Sequence, residues 1–189
     1  MADQSALDEE KAQARRLART LRSVAADPAA GLALAERFPE SLKDAAIVAG
    51  YWPLGSEIDP RPLMASLGAR GAALALPWIA TRDGQAVFRR WRAGDDMAPD
   101  AFGMLAPVAD EQVIPVLVLT PLLAFDRTGA RLGQGGGHYD RILQKLRPQG
   151  VMAVGLAFAA QEIPRVPSGP TDAPLDWIIT EREAIRVYA

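Results

Sequence analysis

The run Ala45-Ala46-Ile47-Val48-Ala49-Gly50-Tyr51 carries no charged side chain. It is too short to span a membrane and lacks the alternation of a strand with one wet face. A parallel strand covered on both sides suits it, and that demands helices on both faces of a sheet. The rest of the chain supplies them. Residues 113–119 are rich in β-branched side chains and read as the strongest strand. Residues 72–76, 86–91, 151–158 and 177–180 read as further strands, the last closing the sheet. Residues 122–125 extend the strand before them or begin a new one. Helical patterns cover 5–25, about 31–43, 61–69 and 138–146. Strands and helices alternate, so the expected class is α/β: one domain over residues 1–189, three-layer α/β/α, with a mainly parallel central sheet. Arg82-Asp83-Gly84 marks a turn, residues 93–112 a surface excursion, and the proline-bearing stretch 161–175 a loop.

The first helix is amphipathic in two senses. Ala14, Leu17, Leu21 and Val24 share one face; Lys11, Arg15, Arg19 and Arg22 share another. Ser5 is placed to cap it, with Asp8 three residues on, and Asp27-Pro28 stops it.

Several chemistries are excluded at once. There is no cysteine, hence no disulfide, thiolate metal site or cysteine nucleophile, and His138 is the one histidine, too few for a two-histidine metal site within one chain. The net charge of −2 is unlike the basic footprint of a nucleic-acid binder. The charged N-terminus has no apolar signal core and no run reaches membrane length, so a cytoplasmic protein without membrane contact is expected.

One stretch goes further. The turn Asp126-Arg127-Thr128-Gly129 is followed by Gly133-Gln134-Gly135-Gly136-Gly137, which opens onto the helix at His138. Each glycine costs about 0.5–1 kcal/mol relative to alanine where backbone is fixed, and in return permits positive φ and close approach to the main chain. Set between a strand and a helix N-terminus, such a run aims amide N–H groups at one point, an arrangement suited to phosphate. It is not the P-loop motif, since no Gly-Lys-Ser/Thr follows, nor the dinucleotide fingerprint, since His138 stands at its last glycine. On the residues alone, a flexible surface loop and a phosphate cradle both remain open. Nearby Arg131 and Arg141, with the strand–loop–helix order, favour the cradle.

The segment from Leu123 through Phe125-Asp126-Arg127-Thr128-Gly129, Arg131-Leu132-Gly133-Gln134-Gly135-Gly136-Gly137 and His138-Tyr139-Asp140-Arg141 resembles the signature of the 5-formyltetrahydrofolate cyclo-ligase family, also called 5,10-methenyltetrahydrofolate synthetases. The likeness extends over nearly the whole chain: Lys11 and Arg15 resemble the family's Lys-x-x-x-Arg, Gly55-Ser56-Glu57-Ile58-Asp59 its Ser-Glu turn, and Thr171-Asp172 part of its tail. It departs at Gln134, at His138 where a tyrosine is frequent, at Ala106 and at Thr171.

The resemblance implies cyclisation of 5-formyltetrahydrofolate to 5,10-methenyltetrahydrofolate, with MgATP spent to ADP and phosphate through phosphorylation of the formyl oxygen. It implies ATP contacts at Lys11, Arg15, Arg131, Leu132, Gly133, Gln134, Gly135, Gly136, Gly137, His138 and Tyr139. Catalytic roles fall to Arg131 and Tyr139, substrate contacts to Trp52, Glu57 and Tyr139, and Mg²⁺ to Asp140 and Asp172. Arg19 and Arg22 are expected on a solvated basic face, Asp140 has helix capping as its alternative, and Trp78, Trp91 and Trp177 are expected to pack. A monomer with only small-molecule partners is expected. Two other readings stay open: a phospho-ligand-binding module without turnover, and a sugar-phosphate enzyme. The second cationic cluster at Lys11 and Arg15 counts against the latter.

Overall fold

A computed structural model describes residues 2–82 and 84–188. Asp83, in the expected 82–84 turn, lies outside the described residues. The strands are β1 (Ile47–Ala49), β2 (Ala73–Trp78), β3 (Val87–Arg90), β4 (Met97–Pro99), β5 (Leu105–Pro107), β6 (Gln112–Val113), β7 (Leu117–Pro121), β8 (Ala124–Phe125), β9 (Arg131–Leu132), β10 (Met152–Leu156), β11 (Trp177–Ile179) and β12 (Ala184–Arg186). The helices are α1 (Ala2–Ala25), α2 (Ala30–Arg37), α3 (Arg61–Ala69) and α4 (His138–Leu146).

Eight strands form one sheet in the order β12-β11-β10-β7-β1-β2-β3-β6. The central five, β11 to β2, pair in parallel, and β12, β3 and β6 join antiparallel. Successive side chains on a strand point to opposite faces. Thus Val48, Leu117, Leu119, Val154 and Ile179 pack with Leu34, Leu63 and Leu67 of α2 and α3. Their neighbours Ala49, Val118, Ala153 and Ile178 pack with Ile142, Leu143 and Leu146 of α4. This gives the three layers, α/β/α, that the apolar runs demand.

Several boundaries differ from expectation. The strand read at 113–119 begins at Leu117, and Val113 pairs instead with Phe88 at the far edge. The surface excursion at 93–112 carries a hairpin of its own, formed by β4 and β5. Residues 124–125 pair with β9 in a separate hairpin, so the glycine run hangs from that hairpin and not from β7 directly. The sheet closes on β12, beyond 177–180. The second helix also stops earlier, at Arg37, before a 3-10 turn over Glu40–Leu42.

The first helix is turned about its axis from the expected orientation. It starts at Ala2, so Ser5 lies inside it and does not cap it. Leu17, Leu21 and Val24 are exposed, at 63 %, 45 % and 84 %. The packed side is Ala14 and Ala18, set against Leu123, Ala124, Leu132 and Val166, with Lys11, Arg15 and Arg22 alongside. Helical periodicity separates two faces without saying which one packs, and basic groups turn inward where acceptors wait for them. No helix among the described residues is long and apolar enough to cross a membrane.

Candidate active site

β1 and β7 are parallel neighbours, but the chain leaves β1 for β2 on one side and β7 for β10 on the other. In open α/β sheets a crevice forms beyond the carboxyl ends of strands at such a switch point. A cavity of about 720 Å³ lies here, lined by Tyr51 just past β1 and by Pro121 and Leu122 at the end of β7. Its wall brings together Lys11, Arg15, Glu57, Arg131, Leu132, the whole run from Gly133 to Gly137, His138, Tyr139, Asp140 and Asp172. Of the predicted site residues, Trp52 is not brought to it. Its ring stands edge-on to Trp91, centroids 6.2 Å apart, with the Arg61 guanidinium 4.9 Å from it.

The glycine run uses its freedom where the backbone requires it. Gly135 has φ 109° and Gly137, directly before α4, has φ 64°, both in the region that L side chains resist. Gly136 has a different constraint: a Cβ there would stand 2.7 Å from the His138 ring. Gly133 has neither, with no atom within 4 Å of a Cβ built on it.

Lys11, Arg15 and Arg131 line the same cavity as the glycine run, together with Arg141. Lys11 Nζ lies 2.5 Å from Asp172 Oδ2. Arg15 Nε donates to the Gly133 carbonyl at 3.0 Å. Arg131, its side chain 5 % exposed, donates from both Nη atoms to Asp140 Oδ1 at 2.9 Å and from Nη1 to the Ala173 carbonyl at 3.0 Å. Burial pulls the Arg131 guanidinium below its ordinary pKa, and Asp140 and Asp172 oppose the shift. Asp140 is not a helix cap, since its contacts go to Arg131 and to the Ala173 N–H and no side chain caps α4. Those contacts all fall on Oδ1, leaving Oδ2 without a hydrogen bond among the described residues.

Tyr139 sits within electrostatic reach of Glu57 and Arg131. Burial first, then the Glu57 charge, push its phenol far above the usual value, with Arg131 opposing, so it is a neutral donor and not a base. Glu57 is fixed through both oxygens: Oε1 accepts from Arg22 Nη1 at 3.2 Å and Oε2 from the Leu54 N–H at 3.0 Å. The Tyr51 hydroxyl holds this turn by donating to the Ile58 carbonyl at 2.7 Å. On His138, Nδ1 lies 3.1 Å from an Arg141 Nη. A guanidinium only donates, so Nδ1 is the acceptor and Nε2 carries the proton. Burial first and Arg141 second lower the His138 pKa, while Asp100 opposes them.

Two expectations about basic residues change. Arg22 is buried, not solvated, and bonds Ser56 and Glu57. Arg19 is exposed but donates to the Gln134 side chain at 3.3 Å. Sequence reasoning also missed Phe102, which reaches the cavity from the β4–β5 hairpin and meets the His138 ring edge-on at 4.6 Å. Its signal was the turn at Asp100, whose Oδ1 accepts from the N–H groups of Phe102 and Met104.

The comparisons with known proteins agree with this picture. A sequence profile of the 5-formyltetrahydrofolate cyclo-ligase family matches residues 5–181. A 5-formyltetrahydrofolate cyclo-ligase of Haemophilus influenzae is 34% identical over 134 residues, covering 68% of this chain and 72% of its own. That of Escherichia coli K12 is 31% identical over 139 residues, covering 70% of this chain and 76% of its own. Among solved structures, the NMR structure of Aquifex aeolicus 5,10-methenyltetrahydrofolate synthetase superposes with a TM-score of 0.71 at 26% identity, covering 100% of this chain and 94% of that one. A Mycoplasma pneumoniae 5,10-methenyltetrahydrofolate synthetase shares the fold, with a TM-score of 0.70 at 19% identity over 90% of this chain and 98% of that one. With residues 131–141 of the signature in the wall of one cavity and the family profile spanning residues 5–181, this chain belongs to the 5-formyltetrahydrofolate cyclo-ligase family.

Proposed function

We propose that this chain uses ATP to cyclise 5-formyltetrahydrofolate to 5,10-methenyltetrahydrofolate, with release of ADP and phosphate. What carries the reading is the single cavity that joins a glycine cradle, two cationic helix residues and a buried carboxylate: Gly133–Gly137, Lys11 with Arg15, and Glu57. The reaction needs two ligands side by side, and one wall offers both cations with backbone amides and a fixed carboxylate.

At one end, the amides of the glycine run with Lys11, Arg15 and Arg131 would hold the polyphosphate, flanked by Leu132, Gln134 and His138. At the other, Glu57 would accept N–H donors from the pterin edge, with Tyr139 between the two ligands. The formyl oxygen attacks the γ-phosphorus and ADP leaves; N10 then bonds to the activated carbon, losing its proton, and phosphate departs. No protein nucleophile is required, only positioning and neutralisation of the transferred phosphoryl group. Arg131 is suited to the latter because it is buried and bonded, so its charge acts in a medium of low dielectric. Tyr139 remains protonated and can donate to an oxygen of the transferring group.

The donor set also fits Mg²⁺ brought in with ATP. Among the described residues no cluster of three or more His, Cys, Asp or Glu could cage a metal by itself. Two carboxylates, Asp140 and Asp172, do line the phosphate end, and magnesium on a nucleotide takes one or two carboxylates plus phosphate oxygens and water. When bound, the ion would offset charge on the β- and γ-phosphates. The lining holds Lys11, Arg15, Arg131 and Arg141 against Asp8, Glu57, Asp100, Asp140 and Asp172, a balance better matched to a metal-neutralised nucleotide than to bare ATP. One chain supplies every group named, so a monomer suffices, and cytoplasmic folate is the pool it would draw on.

The test is ATP consumption dependent on 5-formyltetrahydrofolate. Purified protein with Mg²⁺ and both substrates should accumulate the methenyl product, read by its near-ultraviolet absorbance, with one ADP per product. Folded protein that binds ATP and leaves it intact would support a binding module without turnover.

A further inference from the structure

The buried pair between Arg22 and Glu57 has no counterpart in the roles set out above. Their side chains are 8 % and 6 % exposed. Arg22 Nη1 donates to Glu57 Oε1 and Arg22 Nε to Ser56 Oγ, each at 3.2 Å. The pair joins elements far apart in sequence, the last turns of α1 and the loop after β1. A buried ion pair seldom stabilises a fold more than apolar groups of the same size would, so fold stability alone is a weak account of it.

Glu57 lines the cavity; Arg22 does not. With a donor on each oxygen, from Arg22 and from the Leu54 N–H, the carboxylate cannot rotate to suit a ligand and presents its remaining lone pairs in one orientation. Arg22 stands on the helix face that also carries Lys11 and Arg15. At 100° per residue it lies within about 20° of the direction of Lys11, and at 1.5 Å per residue about 16 Å further along the axis. One rigid helix therefore bonds the glycine loop through Arg15 and the Glu57 turn through Arg22.

We propose that Arg22 is a positioning residue for the folate site: it orients and neutralises Glu57, and sets that carboxylate at a fixed separation from the phosphate-binding end of α1. The proposal rests on the placement of folate at Glu57.

The test is calorimetric titration of the full chain with 5-formyltetrahydrofolate and, separately, with MgATP. The variants are Arg22→Met, Arg22→Lys, Ser56→Ala, Glu57→Gln and the double Arg22→Met/Glu57→Gln. Arg22→Met should weaken folate binding about tenfold or more, leaving MgATP affinity within about twofold. Arg22→Lys keeps a charge beside Glu57 and should recover most of the loss. The double variant should bind folate no more weakly than Glu57→Gln alone, since Arg22 acts only through that carboxylate. Ser56→Ala removes one anchor of Arg22 without emptying the pair, and should cost about threefold in folate affinity even if Arg22→Met fails to fold. Multiplying effects in the double variant would overturn the proposal, as would equal losses for folate and MgATP. So would wild-type folate affinity in folded Arg22→Met, or in Ser56→Ala should that variant not fold. If Glu57→Gln binds folate normally, the placement of folate at Glu57 fails and the proposal with it. If Glu57→Gln weakens folate and Arg22→Met does not, only the role of Arg22 fails.

Discussion

Both Nη atoms of Arg131 converge on a single oxygen, Oδ1 of Asp140, at 2.9 Å. The guanidinium is thereby paired without engaging the second carboxylate oxygen.

Asp140→Asn follows from that geometry. The amide oxygen still accepts from Arg131, but the buried cation loses its counter-charge, so the ligand-free protein should lose about 1–2 kcal/mol of stability. Turnover should fall strongly and half-maximal activity should need more Mg²⁺. Activity against magnesium concentration reads this out for both proteins, and superimposable normalised curves would remove Asp140 from the metal site.

Lys11→Ala and Arg15→Ala should each weaken ATP binding about ten- to a hundredfold, since a charge-assisted contact contributes about 1.5–3 kcal/mol, and leave folate affinity nearly intact. Arg16→Ala is the control, because Arg16 is exposed and its side chain makes no ion pair among the described residues. Arg19→Ala should fall between, through its contact with Gln134. Equal losses at all four positions in ATP titrations would indicate a diffuse basic face.

Gly133 and Gly135 separate backbone strain from ligand space. Gly135→Val places a β-branched residue at φ 109° and should impair both the loop and ATP binding. Gly133→Ala meets no atom within 4 Å and no positive φ, so the melting temperature should stay within about 1 °C of wild type. Any loss of ATP affinity in that variant then measures how closely the nucleotide approaches the main chain. Unchanged ATP affinity in both variants would count against the cradle.

His138 gives the protein an acid-side sensitivity. Burial and Arg141 hold its pKa below the ordinary 6.5, so the unfolded chain binds the proton more readily than the folded one. The contribution to stability is complete above about pH 6.5 and is lost as pH falls through the folded value. Thermal melts from pH 8 to pH 5 should therefore fall more steeply for wild type than for His138→Gln. Parallel profiles would show that the imidazole titrates alike in both states.

Much of this protein could be read from its residues in order. Apolar runs such as 45–51 dictated a sheet buried on both faces, because a strand with no polar side has nowhere else to go. The glycines at 133–137 marked a backbone that must turn where side chains cannot, and Gly135 and Gly137 do so. Local patterns sufficed for these because the forces behind them, burial and backbone sterics, act on neighbouring residues. Only the tertiary structure decided what faces what. The same period that grouped Leu17, Leu21 and Val24 also grouped Lys11, Arg15 and Arg22, and the basic group won the interior because Asp172, the Gly133 carbonyl and Glu57 stand opposite it. Those acceptors come from segments tens to more than a hundred residues away, as does the Phe102 ring against His138. A charge on a helix is solvated or buried according to whether a partner is there to meet it, and that partner is supplied by the fold of the whole chain.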